Sequence, residues 1–282
     1  MRPMRGRELG FSPAIVALLL LWLAMPTRAQ TATTAPYASI STEVESYAGP
    51  GRERANDLTG QTVRIGLLAP LQGARKAEGD AMVAAARMAL RDAVSQRLSH
   101  GRSLALVVED SSGRSWGMVS DGVIRLMLDD QAVAVITSTS GADTHLCEQV
   151  GNRIGVPVLT LSADATTTQI DIPWIFRMGP SDLENADGIA QGIVAEVDKS
   201  TAERREFATR FRQSSGVPPT VVASRTYDAV ILTIRAVRIA GPNRARVRDE
   251  LAKTANYDGL AGTISFDREG NNRATFHVTQ RK

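Results

Sequence analysis

Short apolar runs alternate with longer amphipathic stretches between residues 62 and 161. Four of these runs are apolar at most positions, which is typical of strands buried on both faces of a sheet. They span residues 63–68, 104–108, 132–136 and 157–161. Between the runs, apolar residues recur at a spacing of three to five, as at Met82, Ala86 and Ala89, which predicts helices. The alternation predicts an α/β fold with a doubly wound, mostly parallel sheet.

The loops that follow the predicted strands carry small, hydroxylated or acidic residues. Ligands of doubly wound sheets bind at the carboxyl ends of the strands, so these loops are the candidate binding site. The candidate ligand-binding residues are Gln72, Asp110, Trp116, Ser140, Gly141, Ser162 and Asp164. Two alternatives stay open, because such residues also form turns that cap the next helix and a tryptophan there can anchor its own helix.

The N-terminal sequence has the order of a secretory signal. Arg2, Arg5 and Arg7 precede an apolar run at residues 14–23, and Ala29 ends a short polar region. The stretch 11–25 has 15 residues, whereas a helix that spans a membrane needs about 20. We therefore expect a cleavable signal peptide at 1–29, a periplasmic location and no stable membrane anchor. Residues 30–60 are expected to form an extended arm.

Composition narrows the classes of function. Removing the four Arg and one Glu of residues 1–29 from 33 basic and 30 acidic residues leaves 29 of each, so we expect no nucleic-acid partner. The His residues show no metal-ligand spacing, and we expect neither metal nor cofactor. His145 and Cys147 lie two apart on a predicted helix and form no catalytic constellation with Ser140. We therefore expect no enzymatic activity.

Several short motifs, taken in order, resemble a known family. They are Val-Arg-Ile-Gly-Leu-Leu-Ala-Pro-Leu-Gln-Gly from Val63, Ser-Gly at Ser140, Gly-Val-Pro-Val from Gly155, Ser-Ala-Asp-Ala-Thr from Ser162, and Trp-Ile-Phe-Arg from Trp174. Together they are similar to the first lobe of the Leu/Ile/Val-binding family. These proteins are type I periplasmic binding proteins, which serve ABC transporters as solute-binding proteins. The motifs Tyr-Asp-Ala-Val and Tyr-Asp-Gly-Leu-Ala-Gly, further along, are similar to the closing helices and final hairpin of the family.

The resemblance implies a division into domains. The first ligand-binding lobe would comprise residues 61–180 and 201–260, and most of a second lobe would be missing between 198 and 203. Two remnants of that second lobe would persist. They are residues 181–200, with a helix at 182–197, and residues 261–282, with the C-terminal hairpin.

The resemblance also implies a function, which is solute binding for an ABC importer, with an ABC permease as a partner. By position, Ser140 and Gly141 match the loop that holds the carboxylate of the ligand. Ser162 and Asp164 match the neighbouring loop, where the aspartate departs from the family pattern and favours an amine. The expected ligand is a small polar solute, whether amino acid, amide or amine. Its capture would be weakened because one wall of the cleft is missing.

Three other interpretations stay open. The chain could be a degenerate relative that acts as an interaction module without a transport role, which the missing lobe favours. It could be an exported hydrolase, which only isolated Ser and His residues favour. A homodimer is a further arrangement, in which a second copy supplies the missing wall.

Overall fold

The computed structural model describes residues 58, 60–113, 116–169, 172–182, 193–195, 201–273 and 278–280. At its centre is a five-stranded sheet in the order β2-β1-β3-β4-β5, with every neighbouring pair parallel. The strands are β1 Thr62–Ala69, β2 Ser103–Asp110, β3 Val135–Thr137, β4 Val158–Thr160 and β5 Ile175–Arg177. The predicted parallel α/β sheet is confirmed.

Helices cover both faces of this sheet. They are α1 Lys76–Ser95, α2 Trp116–Ile124, α3 Gly141–Ile154, α4 Ala202–Ser215, α5 Val221–Ala240 and α6 Arg244–Ala252. A π-helical turn, Arg125–Asp129, continues α2, and short 3-10 turns lie at Gly73–Arg75 and Ala165–Thr168. The amphipathic stretches between the apolar runs are therefore helical, as their spacing predicts.

The two largest hydrophobic cores of the described residues lie on opposite faces of the sheet. Successive side chains of a strand point to opposite faces, and Leu67 accordingly packs with Met82 of α1 and Ile234 of α5. Its neighbour Leu68 packs with Val123 of α2 and with α3. Because both faces are buried, the strands need apolar residues at almost every position, which is the pattern seen in the sequence.

The predicted helix at 182–197 is wrong at its C-terminal end. Ile193–Ala195 forms a strand, β6, paired antiparallel with β9, Val278–Gln280. A hairpin pairs β7, Tyr257–Gly259, with β8, Gly262–Ile264, so its first strand lies in the predicted lobe 201–260 and only its second strand in the expected remnant 261–282. The predicted signal peptide 1–29 and nearly all of the predicted arm 30–60 lie outside the described residues.

The segment after β8 packs against the first lobe. The ring of Phe266 lies 5.1 Å, centroid to centroid, from that of Phe176 in β5. The Asn271 side chain accepts a hydrogen bond from Thr168 at 2.6 Å, and the Asn272 amide donates to the carbonyl of Met178 at 3.2 Å. The division into lobe and remnants stays a prediction, but this part of the expected remnant is fixed to the lobe.

None of the helices in the described residues combines the length and the apolar composition needed to cross a membrane.

Candidate functional site

The five strands run parallel, so their carboxyl ends meet at one edge of the sheet. The loops that leave this edge follow Ala69 of β1, Asp110 of β2, Thr137 of β3, Thr160 of β4 and Arg177 of β5. Because β1 lies between β2 and β3, the loop after β1 lies between the loops that follow β2 and β3. We refer to these loops and the helix starts beside them as the strand-end edge.

Gln72 and Asp110 lie together on one side of this edge. The carboxylate of Asp110 accepts hydrogen bonds from the amide of Leu71 at 2.9 Å, the side chain of Gln72 at 2.7 Å and the amide of Ser112 at 2.8 Å. Partial burial opposes the ionisation of Asp110, but these hydrogen bonds outweigh it and lower its pKa. The predicted pair is therefore an ionised carboxylate with an amide fixed beside it.

An ion pair that the sequence analysis missed lies at the centre of the edge. The Arg75 guanidinium donates to both carboxylate oxygens of Glu78, from Nε at 2.9 Å and from Nη2 at 2.8 Å. Glu78 Oε1 also accepts hydrogen bonds from the backbone amide and the hydroxyl of Thr139, each at 2.9 Å. Partial burial opposes ionisation of Glu78, but its contacts with Arg75 and Thr139 lower its pKa. Glu78 therefore ties the start of α1 to the loop after β3.

Arg75 makes further contacts with the same loop. Its Nη2 donates to the hydroxyl of Ser138 at 3.0 Å and lies 3.2 Å from that of Thr139. The only signal of this pair in the sequence is the spacing of three between Arg75 and Glu78, which allows side-chain contact at a helix start. The contact with Thr139 joins residues 61 positions apart and has no local signature.

Ser140 and Gly141 begin helix α3. The Ser140 hydroxyl accepts a hydrogen bond from the amide of Asp143 at 3.2 Å and so caps the helix. Gly141 leaves room for Asp164, because a Cβ at Gly141 would lie 2.3 Å from Asp164 Oδ2. The carboxylate of Asp164 thus lies against the N-terminus of α3, where the helix dipole stabilises an anion.

The loop after β4 holds Asp164 in this position. Asp164 Oδ1 accepts hydrogen bonds from the hydroxyl of Thr166 at 2.6 Å and from its amide at 2.9 Å. The hydrogen bond from the Thr166 hydroxyl is the largest influence on the pKa of Asp164, which is lowered. Ser162 is buried, and its hydroxyl accepts from the amide of Asp164 at 3.1 Å. Ser162 therefore stabilises the conformation of the loop that carries Asp164.

His145 joins α3 to the loop after β4. Its Nδ1 lies 2.7 Å from Glu148 Oε2, and its Nε2 lies 3.0 Å from the hydroxyl of Thr166 and 3.8 Å from Asp164 Oδ2. Burial raises the pKa of Glu148. Cys147 is buried, and this burial raises the pKa of its thiol. His145 thus contacts a carboxylate and a threonine hydroxyl, and it helps to fix the loop that carries Asp164.

Six of the seven predicted residues therefore fall into two groups, with the Arg75–Glu78 ion pair between them. Gln72 lies with Asp110, and Ser140, Gly141 and Ser162 lie with Asp164. Trp116 begins α2, and its side chain lies outside the described residues. Within the described part of the chain, no cluster of three or more His, Cys, Asp or Glu residues could hold a metal ion.

A doubly wound sheet binds its ligands at the carboxyl ends of its strands, and in this chain ordered polar loops lie at that edge. Residues 62–202 match the family model described as periplasmic binding protein. The chain belongs to this family, as its motifs predicted. A search of curated proteins found no match.

Solved structures of solute-binding proteins share the fold. The match to LivJ from Streptococcus pneumoniae, solved with isoleucine, has a TM-score of 0.65 and 16% identity and covers 75% of this chain and 93% of that chain. A putative branched-chain amino acid ABC transporter from Rhodospirillum rubrum matches with a TM-score of 0.66 and 18% identity over 77% of this chain and 96% of that one. A solute-binding protein from R. palustris, in complex with benzoate, matches with a TM-score of 0.63 and 14% identity. The match covers 78% of this chain and 93% of that one. At such low identity the likeness shows the fold alone.

Proposed function

We propose that this protein is a periplasmic solute-binding protein of an ABC importer and that its strand-end edge captures a small polar solute. The observation that carries the proposal is the convergence of polar side chains from four successive strand ends at one edge of the sheet. Asp110, Glu78, Ser140 and Asp164 represent the four, and hydrogen bonds fix each of them. Family membership supports the proposal, and so do neighbours solved with isoleucine and benzoate.

The location and the partner belong to the same proposal. We expect the signal peptide 1–29 to direct the chain to the periplasm, and an ABC permease to receive the solute. The proposal also includes the expected division of the chain, with one ligand-binding lobe formed by residues 61–180 and 201–260. On that division the solute meets one lobe and keeps its other side in water.

One-sided contact predicts weak affinity. Binding sites of this kind enclose about 70 to 90% of the ligand surface, and the entropy cost of capture does not fall when half the contacts are lost. A binder of micromolar affinity that loses about half its contact energy retains a Kd of roughly millimolar or weaker. A homodimer that supplied a second wall would restore affinity in the micromolar range.

Thermal melting of the whole protein against amino acids, amides and amines tests the proposal. A solute that binds only the native state raises the melting temperature with its concentration. Asp110→Asn should reduce the shift, whereas Asp121→Asn, at an exposed position of α2, should leave it unchanged. If the solute raises the melting temperature equally in both variants and in the wild-type protein, the solute does not bind at Asp110.

A second function, an interaction module without solute capture, has one observation in its favour. Thr139 already donates its amide and its hydroxyl to Glu78 of the protein itself, and Asp164 lies against Gly141 at the N-terminus of α3. Absence of any thermal shift across the panel, together with a stable fold, would favour this function over solute binding.

A further inference from the structure

The strand-end edge has two positions suited to a carboxylate, which isoleucine and benzoate both carry. The first is Thr139, whose backbone amide and hydroxyl can both donate to one oxygen. The second is the N-terminus of α3, where the helix dipole favours an anion. What occupies these two positions decides which charge the edge can accept.

Glu78 occupies the first position. Its Oε1 takes the Thr139 amide and the Thr139 hydroxyl, each at 2.9 Å, as a ligand carboxylate would. Arg75, the nearest cation, donates to both oxygens of the same carboxylate and to Ser138. The side chain of Glu78 is only 17% exposed, so a solute carboxylate cannot reach these donors while Glu78 stays in place.

Asp164 occupies the second position. Its Oδ2 lies against Gly141, the first residue of α3, so closely that any Cβ there would clash. Thr166 holds the other oxygen of Asp164 with two hydrogen bonds. The Asp164 side chain is 36% exposed, and Nε2 of His145 lies 3.8 Å from its Oδ2. The carboxylate of Asp164 is therefore partly accessible to a donor from a bound solute.

Most of the remaining charged side chains of the edge are carboxylates, although the Arg177 guanidinium at the end of β5 is close enough to act on Asp164 and the Arg225 guanidinium lies against Gly179. Asp110 is ionised beside Gln72, and Asp143 accepts from the hydroxyl of Ser138 at 2.6 Å. Lys76, the next cation after Arg75, pairs with Asp80 at 2.6 Å. Carboxylates at the edge thus outnumber the cations that face them, and a second anion brought there meets repulsion.

A buried carboxyl group behind Asp164 adds an unmet acceptor. Glu148 is 2% exposed, and its Oε1 has no hydrogen-bond partner among the described residues. Its other oxygen contacts His145, which in turn reaches Thr166 and Asp164. A buried oxygen left without a donor is costly, and Glu148 adds a carboxyl group, not a cation, to the surroundings of Asp164.

We propose that the strand-end edge selects solutes that carry an amine or guanidinium group and lack a free carboxylate, because Glu78 and Asp164 fill the carboxylate positions themselves. The inference rests on the proposed function of solute capture and names its substrate class. It sets this chain apart from its structural neighbours solved with isoleucine and benzoate.

Titration calorimetry with matched pairs of solutes tests the selection. Agmatine with arginine, and isoamylamine with leucine, differ within each pair by one carboxylate. We expect the whole protein to bind each amine at least about tenfold more tightly than its amino acid, with the ratio shrinking in high salt. Benzoate and benzylamine make a third pair that lacks the amino-acid backbone.

Glu78→Ala tests the cause. The change frees the amide and hydroxyl of Thr139 and releases Arg75, so benzoate should gain about tenfold in affinity. Asp121→Ala is the control, because it also removes one carboxylate, at an exposed position of α2, and should leave the affinity for benzoate unchanged. If Glu78→Ala fails to fold, Asp164→Asn keeps the side-chain volume and should lower amine affinity by about tenfold.

The outcomes separate the two proposals. Equal affinity for the two members of each pair, or tighter binding of the amino acids, would overturn the charge selection and leave solute capture standing. Binding of neither member of any pair at about 10 mM would overturn both. Amine preference that survives Glu78→Ala and Asp164→Asn in folded protein would show that other residues select the solute.

Discussion

Asp228 should make this protein lose stability as the pH rises toward neutrality. It lies in α5 with 1% of its surface exposed, and its two oxygens accept hydrogen bonds from the amides of Leu260 at 3.1 Å and Ala261 at 3.3 Å. Burial raises the pKa of Asp228 from 3.8 to about 7, and the two hydrogen bonds only partly oppose the rise. The carboxyl group thus takes up a proton far more readily in the folded chain than in the unfolded one.

The sign follows from proton linkage. Between pH 4 and 7 the folded state holds a proton on Asp228 that the unfolded state has lost, so the free energy of unfolding falls as the pH rises. The stabilisation is fully present below pH 4 and lost by the time the pH passes 7. A difference of about three pKa units corresponds to roughly 4 kcal/mol. Asp110 and Asp164, whose pKa values are lowered, act in the opposite direction and below this window.

Asp228→Asn isolates the effect, because it keeps an acceptor for the amide of Leu260 and removes the titrating group. Urea unfolding, followed by circular dichroism from about pH 4.5 to 8.5, gives the free energy of unfolding for both proteins. The unchanged protein should lose several kcal/mol relative to the variant across that range, on the order of 4. Asp121→Asn, at an exposed position, should track the unchanged protein. A constant difference between Asp228→Asn and the unchanged protein at every pH would refute the reasoning.

Three further predictions follow from burial, from hydrogen bonding and from the sequence. Ile234→Asp places an unpaired charge in a core position that is 1% exposed and should cost about 3 to 5 kcal/mol in urea unfolding, whereas Ile234→Val should cost about 1. Asn271→Ala should lower the free energy of unfolding by about 1 to 3 kcal/mol, because Thr168 and Arg177 donate hydrogen bonds to the Asn271 side chain. An unchanged free energy of unfolding would contradict the packing of this segment on the lobe. Mass spectrometry of the periplasmic fraction should find a chain that begins at Gln30, and recovery of intact Met1 in the membrane fraction would contradict export by a cleaved signal.

The sheet could be predicted because strands buried on both faces need apolar residues at almost every position, and such runs are visible in the sequence. Leu67 and Leu68 serve different cores, and a strand under that constraint has little room for polar residues. Asp110 and Asp164 could be predicted as candidates because the position of a residue after a strand fixes the edge at which it lies.

The rest depends on contacts between distant segments. The hydrogen bond between Glu78 and Thr139 joins residues 61 positions apart, and that between Asn271 and Thr168 joins residues 103 positions apart. In neither case does the local sequence around one residue indicate its partner. Ile193–Ala195 is a strand because it pairs with Val278–Gln280. Its own sequence suits a helix equally well, and the partner strand decides the outcome.

The return of the C-terminal segment to β5 has a consequence for the order in which the protein folds. The amide of Arg177 donates to the carbonyl of Gly270 at 2.8 Å, so the last parallel strand gains its outer partner from a segment made some ninety residues later. Until that segment emerges from the ribosome, β5 exposes an unpaired edge that can pair with other chains. Contacts this distant in sequence form slowly. We therefore expect the nascent chain to stay incompletely folded until its synthesis is nearly complete, which would suit the export proposed for it.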